Sequence, residues 1–203
     1  MQTKNKTVGR TTILRRSAIA LAVATCFSAG ATWANPSKPV VVNGAASFAQ
    51  NGNLFTVTNS PNTIINWGSF SIGASEITRF VQQSSASAVL NRVVGQDPSS
   101  ILGSLQSNGR VFLINPNGIV FGTGSQINVG GLVASTLNLS NEDFLAGRMR
   151  FTEGSLANAG KSLINDGNIT TAQGGNVYLI GNAVTNNGII TSPKGEVILA
   201  AGN

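Results

Sequence analysis

Whatever acid–base or cation chemistry this 203-residue chain could perform rests on seven carboxylates: Glu76, Asp97, Glu142, Asp143, Glu153, Asp166 and Glu196. Only Glu142 and Asp143 are adjacent, and neighbouring side chains usually diverge, so they read as a solvated surface pair. Glycosidic chemistry needs clustered carboxylates, and calcium sites need several oxygen ligands. The chain has no histidine, and its one cysteine, Cys26, lies in the N-terminal segment. Ser-His-Asp triads, Cys-His dyads and the usual zinc sites therefore lack a base or ligands. No catalytic residue, metal site or cofactor site is read from the sequence, and the chain is not expected to be an enzyme. What stands out instead is a turn, Asn115-Pro116-Asn117-Gly118, followed by Ile119 and set between apolar runs. Pro116 presets one turn dihedral, Gly118 suits the last turn position, and Asn115 can accept hydrogen bonds from backbone N–H groups ahead of it.

The first 34 residues follow the order of a secretory signal peptide. Lys4, Lys6, Arg10, Arg15 and Arg16 precede an apolar run from Ala18 to Ala31, and small residues follow at Thr32 and Ala34. The run is short for a membrane anchor. Cleavage is expected between Ala34 and Asn35, with Ala31 as the second choice. The surroundings of Arg15-Arg16 fit a twin-arginine signal poorly, and Thr25 and Phe27 beside Cys26 argue against lipidation.

Removing that segment changes the charge balance. The whole chain has 13 basic and 7 acidic residues; five of the basic ones lie before residue 35, leaving eight against seven. The eight are scattered and form no stripe, so a nucleic-acid footprint is excluded. Abundant Gly, Asn, Ser and Thr among Val, Ile and Leu point to an all-β chain with many tight turns.

The repeat near the C-terminus sets the architecture. "NDGNITTAQGGNVYLIGN" (165–182) is followed by "NNGIITSPKGEVILAAGN" (186–203), an offset of 20 to 21 residues. Neither unit can bury its apolar side alone, so the period implies stacked coils. The short Val- and Ile-rich runs lack helical spacing, and propeller blades need about twice the period. A parallel β-helix fits, with Val177 and Leu179 pointing inward above Val197 and Leu199, and Tyr178 and Ile198 outward. "NGRVFLINPNG" (108–118) aligns with the same units. "SSILGSLQSNG" reads as one further strand, with a short helix from Asp97-Pro98 as a weaker alternative. "TIINWGSFSIG" and "EITRFVQ" supply more strands, and 125–140 a strand pair. Residues 141–155, with the densest charge, are expected to leave the coil as a short helix or hairpin, Phe144 and Leu145 covering apolar surface. Residues 35–65 lack the repeat and are read as an N-terminal cap on residues 66–203, since a coil stack needs its end covered.

Three stretches together resemble a known family: "INWGSFSIG" (65–73), "AVLNRVVGQDPSSILGSLQSNGRVFLINPNGIVFG" (88–122) and "GLVASTLNLSNEDF" (131–144). They are similar to the two-partner secretion domain of filamentous-haemagglutinin-type exoproteins, in particular the high-molecular-weight adhesin branch. The resemblance covers nearly all of residues 35–203. It implies a right-handed parallel β-helix with an N-terminal cap, acting as the secretion module of a large adhesin-like protein. It further implies recognition in the periplasm by an outer-membrane β-barrel transporter with periplasmic recognition modules, then export to the cell surface or medium. The family's secretion motif maps onto Asn115, Pro116, Asn117, Gly118 and Ile119. The second motif of filamentous haemagglutinin, "NPNL", is absent, and the adhesin branch is matched instead at Asn66-Trp67 and Asn91-Arg92. Binding of a host receptor or glycan is expected downstream of this segment.

A β-helical polysaccharide-active enzyme or glycan-binding module is the rival reading. Trp67 and Tyr178 could mark a sugar-binding face, but read better as a cap or core residue and a sheet-surface aromatic. The last coil would expose an edge, which predicts self-association.

Overall fold

The computed structural model describes residues 34–153 and 161–202; the basic and apolar leader lies outside the described residues. Two antiparallel strands come first, β1 (Val40–Asn43) and β2 (Ala46–Asn51). The first coil holds β3 (Leu54–Asn59) and β4 (Thr63–Trp67), the second β5 (Ile77–Gln82) and β6 (Ala88–Val93). From there each coil has three strands. The third is β7 (Ser99–Ile101), β8 (Ser104–Ser107) and β9 (Arg110–Ile114). The fourth is β10 (Ile119–Phe121), β11 (Gln126–Val129) and β12 (Gly131–Ser135). An excursion follows, with β13 (Asn138–Leu139), α1 (Asn141–Leu145) and β14 (Phe151–Thr152). The fifth coil is β15 (Ser162–Asn165), β16 (Asn168–Thr171) and β17 (Val177–Gly181). The last described coil is β18 (Ala183–Asn186), β19 (Ile189–Thr191) and β20 (Val197–Ala201).

These strands stack into three long faces. One runs β1-β4-β6-β9-β12-β17-β20, the second β2-β3-β5-β8-β11-β16-β19, and the third β7-β10-β15-β18. Coil-to-coil pairing is parallel throughout, as a period of about 20 residues demands. Val177 pairs with Val197 and Leu179 with Leu199, the register expected from the repeat. Ile169 pairs with Ile190, so the 21-residue offset persists through Ile169 and shortens to 20 only by Val177. That slip is absorbed at a glycine corner: a Cβ on Gly175 would fall 2.0 Å from the Gly130 carbonyl oxygen, and one on Gly195 2.0 Å from that of Gly175. Backbones at this corner touch, and only glycine fits.

Alternation along each strand makes two apolar layers. Inside lie Val89, Val111, Leu132 and Val177 in one column and Ile65, Leu113, Ala134 and Leu179 in the next. Each fully buried Val, Leu or Ile of these columns contributes about 1.5–3 kcal/mol. Outside, Ile64, Leu90, Phe112 and Val133 form a second column, and Tyr178 continues it outward as expected. The excursion covers this outer column. Its segment is both helix and hairpin: β13 and β14 pair antiparallel, and Phe144 packs edge-on to Phe112 with ring centroids 5.1 Å apart. Phe144 is buried as expected, whereas Leu145 points away and is 45% exposed. The five-residue helix buries Asp143 and Phe144, and Leu145, the next residue along, falls on its outer side.

At the N-terminal end, β1 runs antiparallel to β4, and β2 antiparallel to β3. Parallel pairing starts at Leu54, earlier than the cap boundary at residue 65 read from the sequence. The first two coils hide in the sequence because each carries two strands instead of three. Phe48, Phe55, Phe70 and Phe80 surround or extend from Trp67 and fill this end. The single strand read over Ser99–Gly109 is instead β7 and β8, bent apart at Leu102-Gly103, and no helix forms at Asp97-Pro98.

Candidate secretion motif

Strand β9 feeds the motif and β10 leaves it, so Asn115–Gly118 forms the corner between two faces of the solenoid. Alternation from Val111 and Leu113 turns Asn115 inward, where it is fully buried. An amide buried there must have every polar atom paired. Its Nδ2 donates to the Asp97 carbonyl at 3.0 Å and to Ser99 Oγ at 2.9 Å. Its Oδ1 accepts from the Asn117 backbone N–H at 2.9 Å and from Asn117 Nδ2 at 3.1 Å. The Asn115 N–H donates to the Ser135 carbonyl, and its own carbonyl accepts from Gly118 N–H at 3.2 Å.

Asn117 Nδ2 donates a second bond, to the Gly95 carbonyl at 2.8 Å. Gly118 has φ 114°, a conformation that only glycine adopts without strain, and its carbonyl accepts from Ser99 N–H. Ile119 is fully buried, paired between Ser99 and Leu163. The motif therefore joins the coil before it to the coil after it. Only Pro116 and Asn117 are partly exposed. The partners at Gly95, Asp97 and Ser99 escaped the sequence reading, because the carbonyls of Gly95 and Asp97 carry no residue signature and Ser99 is one serine among many.

The four lesser candidates split by strand parity. Trp67 and Asn91 face inward and are fully buried; the indole N–H donates to Asn91 Oδ1 at 3.0 Å, and Asn91 Nδ2 donates to the Phe112 carbonyl. Trp67 is thus a core residue, as read, and unavailable to a sugar. Asn66 and Arg92 face outward as register partners. The Arg92 guanidinium donates to Asn141 Oδ1 at 2.9 Å, to the Leu139 carbonyl at 2.6 Å and to Asn66 Oδ1 at 3.4 Å. It pins the excursion to the solenoid, and burial pushes its pKa down.

Carboxylates do not converge. Asp143 is drawn into the excursion, accepting from Arg148 Nε at 2.7 Å and from Ser140 Oγ at 2.8 Å. The Arg148 bond first, and the Ser140 bond next, hold its carboxyl below the ordinary range. Tyr178 donates to Glu196 Oε2 at 2.7 Å, and that bond is the main reason its pKa is raised. Among the described residues no three His, Cys, Asp or Glu side chains are grouped to hold a metal. A surface groove of about 460 Å³ runs past Arg110, Phe112, Met149 and Tyr178, and no carboxylate lines it.

The described residues thus form a capped parallel β-solenoid with a buried Asn-Pro-Asn-Gly turn at one corner, which places the chain in the class of coil-stack proteins. The family model for the TPS secretion domain matches residues 32–203, and the chain belongs to that family. It is similar to the crystal structure of the HMW1 secretion domain from Haemophilus influenzae: 41% identity, TM-score 0.80, covering 83% of this chain and 45% of that one. It is also similar to two heme/hemopexin-binding proteins of Haemophilus influenzae. One, from strain Rd, is 35% identical over an alignment of 190 residues and covers 79% of this chain and 21% of the relative. The other is 40% identical over 88 residues, 43% of this chain and 10% of the relative. The chain thus spans about a fifth or less of the length of these curated relatives. TPS secretion domains belong to exoproteins exported across the outer membrane and are recognised by outer-membrane TpsB transporters. The family is one of secretion domains and not of enzymes.

Proposed function

We propose that this chain is the N-terminal secretion module of a large adhesin-like exoprotein, and that its folded coils seed the stacking of coils that follow. Residues 1–34 act as the signal peptide, cut between Ala34 and Asn35. The transporter's periplasmic modules engage the chain before it folds, and the Asn115 corner closes once it is outside. Contact with a host receptor or glycan falls to sequence downstream of the domain.

One observation carries this reading. The match of residues 32–203 to the TPS secretion-domain model falls on coils stacked in parallel register, Val177 on Val197 and Leu179 on Leu199. Each coil stacked in this way buries apolar columns and pairs the edge of the coil before it. Burial of Asn115 supports engagement before folding, because a folded domain offers a partner little of the motif. Co-expression with a cognate transporter, assaying the domain outside the cell, tests the proposal. Export that proceeds equally without the transporter would refute it.

A further inference from the structure

Glu76 is a charged group that neither the coil stack nor the Asn115 corner employs. It closes the turn Gly73–Glu76 just before β5, its N–H donating to the Gly73 carbonyl, and it is only 6% exposed. Its Oε2 accepts from Gly73 N–H at 2.7 Å. Its Oε1 accepts from the backbone N–H of Ala34 at 2.9 Å. The next coil abuts the turn: Ser104 N–H donates to the Glu76 carbonyl, and a Cβ on Gly103 would stand 2.1 Å from the Gly73 carbonyl oxygen. Among the described residues the ion pair is Arg148–Asp143, and no Lys or Arg nitrogen lies within 4.0 Å of Glu76. A buried carboxylate served by two neutral amides is an incomplete arrangement, since buried charges are normally paired.

The chain that reaches Glu76 is the expected processing point. Residues 35–37 are strapped to the cap end beside it: Asn35 Oδ1 accepts from Thr78 Oγ1 at 3.3 Å, Ser37 N–H donates to the Ser69 carbonyl, and Gly68 N–H donates to the Ser37 carbonyl. Hydrolysis of the Ala34–Asn35 bond consumes one water and leaves a carboxylate on Ala34 and an amine on Asn35. That α-amine takes up a proton at neutral pH, its ordinary pKa being about 7.7–8.0.

We infer that Glu76 is the built-in receptor for the α-ammonium created by signal-peptide cleavage, so that processing itself completes the cap. The inference rests on the processing step of the reading above. Cleavage removes the Ala34 amide from Oε1 and presents a cation one residue further along the same strap. A charge-assisted bond replaces a neutral one, and such bonds are roughly twice as strong. The unprocessed chain holds the strap by a neutral contact, the processed chain by an ion pair.

The test uses the processed full chain purified from the periplasm. Its N-terminus is sequenced, then the α-amine is acylated with limiting acetic anhydride at pH 7 and scored on the N-terminal peptide by mass spectrometry. The Asn35 amine is expected to react about tenfold more slowly in the folded protein than in the same protein in urea. Glu76→Gln is expected to abolish that protection while Lys38 and Lys194 label as before. Equal rates folded and unfolded, protection retained in Glu76→Gln, or a mature N-terminus upstream of Ala34 would each overturn the inference. If Glu76→Gln does not fold, the folded-against-urea comparison in the unaltered protein still decides. None of these readouts uses the transporter, so failure of export and failure of this ion pair are separately visible.

Discussion

Asn115 and Ser99, sixteen residues apart, meet inside the solenoid with Nδ2 and Oγ 2.9 Å apart. The contact links the corner of one coil to the first strand of its own coil and, through the Asn115 N–H to Ser135, to the coil beyond. The candidate secretion motif is thus a junction within the fold, and substitutions there are expected to act on folding and export together.

Asn115→Ala removes the donor to Ser99 and Asp97 and the acceptor for Asn117, leaving buried groups unpaired. Destabilisation of about 2–4 kcal/mol is expected, at about 1–3 kcal/mol for each buried group orphaned. Asn117→Ala, half-exposed, is expected to cost about 1 kcal/mol. Thermal melts measured beside export separate folding from recognition. Export lost by either variant without a fall in melting temperature would show direct contact with the transporter.

Asn91→Ala strands the indole N–H of Trp67 and the Phe112 carbonyl in a dry interior. A loss of about 1–3 kcal/mol is expected, with a shift in Trp67 fluorescence. The pair Trp67→Phe with Asn91→Leu removes both polar partners of that bond and is expected to recover part of the loss, which urea titration of the variants measures.

The excursion responds to acid. Asp143 has its carboxyl held below the usual value, so its contribution is fully present above the unfolded value of about 3.9. That contribution is lost as pH falls through the lower folded value. Amide exchange over Leu139–Thr152 is expected to accelerate on acidification in the unaltered protein but to be fast and pH-independent, after correction for intrinsic exchange, in Asp143→Asn.

The last coil predicts association. With Ile189 64% exposed and the β20 edge unpaired, the domain is expected to self-associate at high concentration. Leu199→Asp puts a charge into the open column and is expected to shift sedimentation toward monomer. A clean monomer for the unaltered protein at the same concentration would contradict this.

The coil stack was legible because its cause is local and repeated. A period of 20 to 21 residues, alternation within "NVYLI" and "EVILA", and glycine recurring at the Gly130, Gly175 and Gly195 corner specify parallel strands and their inward columns. The turn at Asn115 was equally legible, from Pro116 and Gly118 alone. The sequence by itself determined the repeat, the facing of its strands and the place of this corner. Tertiary structure decided what the corner touches, since Asn115 is served by carbonyls that belong to no motif. It also decided that Trp67 and Asn91 lie inside while Asn66 and Arg92 lie outside, a matter of strand parity around a closed coil. And it alone brought the Ala34 backbone N–H to Glu76, 42 residues apart, because two remote positions meet only when the chain between them folds back on the solenoid.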